Sequence, residues 1–435
     1  MTPPRQISVP AGYKQTEAGV IPEEWEVSSV GCEFDIKLGK MLDAEKNVGV
    51  PKPYLGNKAV QWDRIDIRDL PMVPMSRADI ERFRLRKGDL LVCEGGEVGR
   101  AAIWEAPLEE CYYQKALHRL RPTRGFNVKV MAALLRQWSD HGQLTNYVTQ
   151  TSIAHLPREK FMEVPMLIPP PPEQRAIAEA LSDVDGLLGA LERLIAKKRD
   201  LKQAAMQQLL TGQTRLPGFG SRKAPRHHSV FGAFPIDWEL LPLSQVSAFI
   251  TKGSTPTTYG FDWVSSGVLF LRSECVSERG LDLSESMFVS SLAHQLLRRS
   301  EVKPNDILMT ITGNVGRVVH LNDNFPPSNI NQHIARIRIT DNRVASAFVF
   351  HFLSQPLVRK YYNQITTGQA YPQISLTQVR DTVLPMPSLA EQTAIAAVLK
   401  DMDAELTGLV QRREKTRTLK QGMMQELLTG RTRLV

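Results

Sequence analysis

Apolar residues at Ile177, Leu181, Val184, Leu188, Leu191 and Ile195 follow one another at spacings of 4, 3, 4, 3 and 4. That is the seam of a long helix packed along another helix. The seam returns as Ile395, Leu399, Met402, Leu406 and Leu409, after which Arg413 stands where the first copy has Ile195. A second apolar set continues each helix, as Leu201, Ala205 and Leu209 and as Leu419, Met423 and Leu427. The change of phase between the two sets predicts a pause or stutter near Lys198 and Thr416. The seams favour pairing of the two helices within the chain over an ordinary core helix or a homodimer, and they leave the relative direction open. VPMLIPPPPEQ (164–174) and TVLPMPSLAEQ (382–392) precede the helices, and proline makes each a stiff, extended entry. The predicted stops are the LLTG strings, where Gly212 and Gly430 can take the left-handed capping conformation. A helix from Glu173 to Thr211 spans roughly 60 Å at about 1.5 Å per residue.

Elsewhere short β-rich runs dominate, among them Asp89–Cys93, Asp306–Thr310, Gly267–Leu271 and Ala335–Ile339, with helices predicted near Val128–Trp138 and Ala345–Leu353. The fold class expected is α+β, with two such domains separated by two long helices. The order is fixed by a displaced repeat: LKQAAMQQLLTGQTRL (201–216) returns as LKQGMMQELLTGRTRL (419–434), 218 positions later. The match runs back to the pairs Glu173/Gln174 and Glu391/Gln392, then thins to landmarks such as Trp25 with Trp238 and the VGR strings ending at Arg100 and Arg317. A unit of nearly half the chain is a duplicated domain plus helix, not a solenoid. The layout expected is a first domain over 1–164, a helix segment over 165–216, a linker over 217–229 (PGFGSRKAPRHHS), a second domain over 230–383 and a second helix segment over 384–435.

Composition narrows the class only slightly. Hydrophobic residues at 42% and charged residues at 23% are ordinary for a water-soluble protein. The start MTPPRQISVPAGYKQTEAG has no signal-peptide core and no run of 18 apolar residues occurs, so a cytoplasmic, non-membrane location is expected. The four cysteines form no CxxC pair, which predicts reduced structural thiols and no metal. A net charge of +8 permits a polyanionic partner without demanding one.

Catalytic constellations are hard to find. No GxxxxGK[ST] phosphate loop, no Rossmann glycine fingerprint and no amino-methyltransferase tetrapeptide occurs; Asn324-Phe325-Pro326-Pro327 has the wrong order. No catalytic residue and no cofactor is therefore assigned to this chain. Two glycine turns, CEGGEVGR (93–100) and TITGNVGR (310–317), each follow an apolar strand. They can be plain hairpin turns, or loops against DNA with Arg100 and Arg317 on phosphates and Glu94, Glu97, Thr312 and Asn314 near bases. The same logic of polar and basic side chains in loops selects Lys37, Lys40, Gln114, Lys115 and Thr151 in the first half. In the second half it selects Lys252, Thr255, Thr257, Tyr259, Asn331, Gln332, His333, Thr367, Gln369 and Tyr371.

Taken together, GYKQTEAGVIPEEWEV, GDLLVCEGGEVGRAAIW (88–104), YQKALHRLRP (113–122), IPPPPEQRAIAEAL, the KGSTP turn and the duplicated LLTG-TRL ends resemble the DNA specificity subunit of type I restriction-modification systems. The likeness covers essentially the whole chain. It implies two target-recognition domains, each reading one half of a split double-stranded DNA site, and two helices packed as an antiparallel coiled coil that sets the gap. It also implies two modification subunits supplying S-adenosylmethionine and adenine N6 methylation, and restriction subunits that use ATP with Mg. The chain itself is then a non-catalytic scaffold. The competing readings are a stand-alone methyltransferase or nuclease, which needs a constellation this chain does not display, and a coiled-coil protein adaptor, which leaves two different α+β blocks unexplained.

Overall fold

The computed structural model describes residues 9–43, 47–150, 154–220, 226–278, 280–368 and 370–434. The chain divides into two compact units, one built from the residues up to Glu192 together with those from Arg412 onward, the other from Arg193–Gln411. The two long helices, Pro171–Leu209 and Leu389–Leu427, are 39 residues each. Each begins in one unit and ends in the other.

In the first unit an antiparallel sheet runs in the order Ala101–Ile103, Leu90–Cys93, Leu117–Pro122, Phe34–Leu38. A three-stranded sheet, Tyr112–Tyr113, Val50–Leu55 and Met72–Met75, packs on its other side. The helix Val128–Asp140 carries apolar residues at helical spacing and lays Val130, Met131, Leu134, Leu135 and Trp138 against the first sheet. The second unit repeats the plan. Its sheet order is Ser247–Lys252, Ile334–Ile339, Ile307–Thr310, Val318–His320, and its second sheet is Met287–Val289, Val268–Leu271, Ser328–Ile330, Glu301–Val302. A buried aspartate starts the hairpin strand of each first sheet and takes an arginine from its neighbour: Arg121 on Asp89 at 2.5 Å, Arg338 on Asp306 at 2.7 Å.

The most closely repeated residues build a clamp inside each unit. In the first, Arg433 at the end of the second helix reaches Glu173 at the start of the first, 2.6 Å away, and the fully buried Trp25 donates its indole N–H to the same carboxylate at 2.7 Å. In the second, Arg215 reaches Glu391 through two bonds of 2.5 and 2.6 Å and lies over the Trp238 ring. The neighbouring glutamine caps a domain helix: Gln174 accepts from the Asn127 amide at 2.8 Å, and Gln392 from the Ala345 amide at 2.9 Å. Gly430 and Gly212 end the helices at φ +70° and +61°, and a Cβ on either would strike a proline, Pro22 or Pro235, at 2.6 or 2.5 Å. Only glycine accepts that backbone and that close approach together.

Within each unit the start of one helix runs antiparallel to the end of the other. Ile177, Ala178 and Leu181 cluster with Met424, Leu427 and Leu428, and Met206, Leu209 and Leu210 with Ile395, Ala396 and Leu399. Lys420 pairs with Asp185 at 2.7 Å, and the residues displaced from these, Lys202 and Asp403, pair in the other unit.

Several expectations need adjustment. Of the predicted seam, Ile177, Leu181, Leu191, Ile195, Ile395 and Leu399 are buried, whereas Val184, Leu188, Met402, Leu406 and Leu409 are half-buried, and Arg413 turns to Glu414. Of the second apolar set, Leu209 and Leu427 are buried and Ala205 and Met423 pack half-buried against the core, whereas Leu201 and Leu419 are 46% and 59% exposed; Met206 and Met424 are buried beside them. No stutter appears at Lys198 or Thr416; both helices stay α-helical through these residues. The expected linker 217–229 contains a strand, Arg226–Ser229, paired with Gly232–Pro235. It matches the N-terminal hairpin Tyr13–Thr16 with Gly19–Pro22. Both hairpins hold a helix end: Tyr13 donates to the Gly430 carbonyl at 2.9 Å and Arg226 to the Gly212 carbonyl at 3.1 Å. The strand was hidden because RHHS carries no apolar alternation; its order comes from the partner strand and from the helix end. Pro165–Ile168 and Val383–Met386, at the proline-rich entries, are likewise strands, paired with Glu26–Ser29 and Glu239–Pro242.

Candidate nucleic-acid interface

Both glycine turns are hairpins closed by backbone bonds, Cys93 to Arg100 at 2.8 Å and Thr310 to Arg317 at 2.9 Å. Gly96, Gly99, Gly313 and Gly316 all have φ between +73° and +83°, the left-handed region that these tight turns require.

In the first unit the turn is gathered with four other loop segments. The Leu156 amide donates to the Glu94 carbonyl at 2.7 Å, and Asn57 donates through its side chain to the Gly95 carbonyl at 2.9 Å. The Lys115 amide donates to the Lys40 carbonyl at 2.8 Å, and the Gln114 amide group covers Gly56. Glu94, Lys115 and His155 therefore share one surface. Burial raises the pKa of the Glu94 carboxyl above the ordinary range, with the charges of His155 and Lys115 opposing the rise. Other candidates are occupied internally. Lys40 is buried and paired with Asp79 at 2.9 Å, and Arg100 folds back to the Asn57 carbonyl at 3.0 Å and to Glu97. Glu97 also accepts from the Trp62 indole, and exposed Lys37 lies 3.7 Å from Asp35. Thr151 lies outside the described residues.

Four loops knit together in the second unit. The Gly253 amide donates to the Asn331 carbonyl at 3.1 Å, and a Cβ there would sit 1.8 Å from the Ile330 carbonyl, so the KGSTP turn needs its glycine. Thr255 hydrogen-bonds Gln332, Gln332 reaches His333 at 3.0 Å, and the His333 ring stands edge-on to Tyr371 at 6.2 Å. Gln373 bridges both Thr312 and Thr367, and the Gly313 amide donates to the Pro372 carbonyl at 2.8 Å. Thr255, Thr312, Gln332, His333, Thr367 and Tyr371 thus form one polar surface. Thr257, Tyr259 and Asn314 project at exposed positions around it, Lys252 is exposed at the end of its strand, and Asn331 is buried with its amide on the Leu271 carbonyl. Arg317 is half-buried, and Gln369 lies outside the described residues.

Asn57, Trp62, His155 and Gln373 are the members of these surfaces that sequence reasoning missed. Each stands alone in its string; only the convergence of loops distant in sequence singles it out. Among the described residues there is no group of three or more His, Cys, Asp or Glu side chains placed to hold a metal, and no helix long and apolar enough to cross a membrane.

Comparison with known proteins gives one answer. The model of the type I restriction modification DNA specificity domain matches twice, over residues 22–199 and 235–416. The chain is 25% identical over 434 residues to the type I restriction enzyme MjaVIII specificity subunit of Methanocaldococcus jannaschii, covering 97% of this chain and 96% of that one. Its fold is similar to that of the S subunit of a type I restriction-modification system from M. genitalium (TM-score 0.57, 15% identity, 93% and 96% of the two chains). A chain from a structural study of complex assembly and conformational transition of the type I R-M system is also similar (TM-score 0.60, 17% identity, 95% and 99%).

Proposed function

Because the chain belongs to the type I restriction-modification DNA specificity family, we propose that its two domains each read one half of a split double-stranded DNA target while the long helices carry the modification subunits. The observation that carries this reading is the contrast inside each unit: one clamp, Glu173–Arg433 or Glu391–Arg215, repeated almost residue for residue, in units whose loop surfaces differ in chemistry. A repeated surface suits two copies of one partner. Divergent surfaces suit two different base sequences.

In the first domain the proposed reading group is Glu94 with Lys115 and His155; in the second it is Thr255, Thr312, Gln332, His333, Thr367 and Tyr371. A carboxylate accepts from the cytosine amino group, and amide, hydroxyl and imidazole groups reach other base edges. Each correct base pair contributes about 1–3 kcal/mol of discrimination, roughly additively, so two small domains multiply their selectivity. The helices act as an antiparallel coiled-coil spacer, which spares the second domain a search for its half-site. S-adenosylmethionine belongs to two modification subunits, and ATP with Mg to restriction subunits where the complex includes them.

Purifying the chain with its modification subunit and sequencing methylated adenines tests the proposal. The expected result is a motif in two parts separated by a fixed gap; a contiguous motif overturns it. Exchanging residues 20–160 should change one half of the motif only.

A further inference from the structure

The outer strand of the first sheet differs in charge between the units. In the second unit this strand, Ser247–Lys252, has cations from three other segments gathered on it. Arg299 donates to the Thr251 hydroxyl at 3.1 Å, Arg380 to the Ile250 carbonyl at 2.9 Å, and Arg336 lies 5.1 Å over the Phe249 ring. Lys252 ends the strand, and Lys252, Arg299 and Arg380 are exposed. Arg336 is 3% exposed; its guanidinium meets the Glu301 carbonyl, and its Nε is buried with no partner among the described residues. The ion pairs of residues 239–383 fall on Arg272, Arg338, Arg343 and Arg359, and among the described residues no carboxylate forms an ion pair with these four cations, Glu301 and Asp306 acting on Arg336 only from beyond ion-pair distance.

The first unit has the same framework and neutralises it. Arg119 holds the strand register of Arg336, and Asp35 that of Phe249. Asp35 takes Arg119 at 2.6 Å and Lys37 at 3.7 Å. Arg158, which donates to the Ile36 carbonyl as Arg380 does to Ile250, has Glu159 at 3.9 Å. Guarding an open strand edge against pairing needs a charge or two, not a row of cations without ion pairs. An arginine stays charged whatever its surroundings, so an unneutralised row is stable where its anion comes from outside.

We propose that the strand Ser247–Lys252 with Arg299, Arg336, Arg380 and Lys252 is a phosphate-backbone site of the second domain, and that Asp35 switches off the corresponding position in the first. The strand leads directly into the KGSTP turn, so a phosphate track here places the neighbouring Thr255–Gln332–His333 surface at the base edges. The second domain then supplies the larger share of sequence-independent affinity. This rests on the DNA-reading proposal above.

The test is the salt dependence of binding by the complete complex with modification subunits, using a short random-sequence duplex over about 50 to 200 mM potassium chloride. Every phosphate that a variant no longer neutralises lowers the slope of log affinity against log salt by about 0.9. Arg299→Ala with Arg380→Ala should lower it by about 1.8, and Phe249→Asp, which installs the carboxylate of the first domain, by about 0.9. Arg299→Lys with Arg380→Lys should restore the slope, and Asp35→Asn should raise it. An unchanged slope in the alanine pair and in Phe249→Asp, with the unaltered complex binding normally, overturns this site and leaves the split-site reading standing. Failure of the unaltered complex to bind duplex DNA overturns both.

Discussion

The two clamps hold the same atoms in different balance. In the first unit Glu173 receives both Arg433 and the Trp25 indole; in the second Glu391 receives Arg215 alone, and the Trp238 indole N–H is buried with no partner among the described residues. Each arginine also holds a second carboxylate, Arg433 on Glu24 at 2.8 Å and Arg215 on Asp237 at 3.1 Å, and Arg215 in addition lies 5.4 Å over the Trp238 ring. Duplication thus preserved what the clamp must do, which is to lock the end of one helix to the start of the other. It left the surrounding bonds free to drift. The loop surfaces show the opposite history: the sheet of each unit kept its Asp–Arg pair while the loops diverged.

The comparison can be broken most severely at the shared carboxylates. Glu173→Ala and Glu391→Ala each leave a partly or wholly buried guanidinium with only an exposed second carboxylate, Glu24 or Asp237, and each should cost about 3–5 kcal/mol in denaturant unfolding of the purified chain. A cost under about 1 kcal/mol at either position would show that the clamps are not equivalent. The next effect is acid sensitivity. Burial lowers the pKa of His118 in the first unit to about 4 and, together with the charge of Lys202, that of His351 in the second to about 3. A histidine whose folded pKa lies below its unfolded value stabilises the fold fully above about 6.5 and loses that contribution as pH falls through the folded value. Unfolding measured from pH 7 down to pH 3 should therefore weaken by a few kcal/mol for each histidine, more for His351, whose value is lowered further. His351→Leu should flatten the second unit's share of that loss and leave the His118 share in place. The smallest effect separates the tryptophans: Trp25→Phe should cost about 1–3 kcal/mol more than Trp238→Phe, since only the first removes a bond from a buried carboxylate. Equal costs would mean that the indole bond to Glu173 contributes nothing.

Much of the architecture was legible because it rests on local rules. Val128–Asp140 and Ser346–Leu353 follow from apolar periodicity, the strands Leu90–Cys93 and Ile307–Thr310 from short apolar runs, and the helix stops at Gly212 and Gly430 from left-handed capping. The candidate interface was legible only in part. Gly96, Gly253 and Gln332 sit in strings that announce loops, yet nothing local reveals that Lys40 is consumed by Asp79 or that Arg100 turns inward to Asn57. Nor could a pattern of apolar residues find the hairpin Arg226–Ser229, which is ordered by Gly232–Pro235 and the helix end at Gly212.

By itself the sequence determined the duplication, the two long helices, their glycine stops and the family, since each is written in periodicity or in strings that repeat at a fixed displacement. Tertiary structure alone decided that Arg433 closes on Glu173 and Arg215 on Glu391, across 260 and 176 positions of chain. It also decided which cations meet a carboxylate inside the domain, as Arg119 meets Asp35, and which among the described residues do not. Periodicity records which face of an element is apolar; the partner of a charge depends on chain crossings that no single stretch encodes.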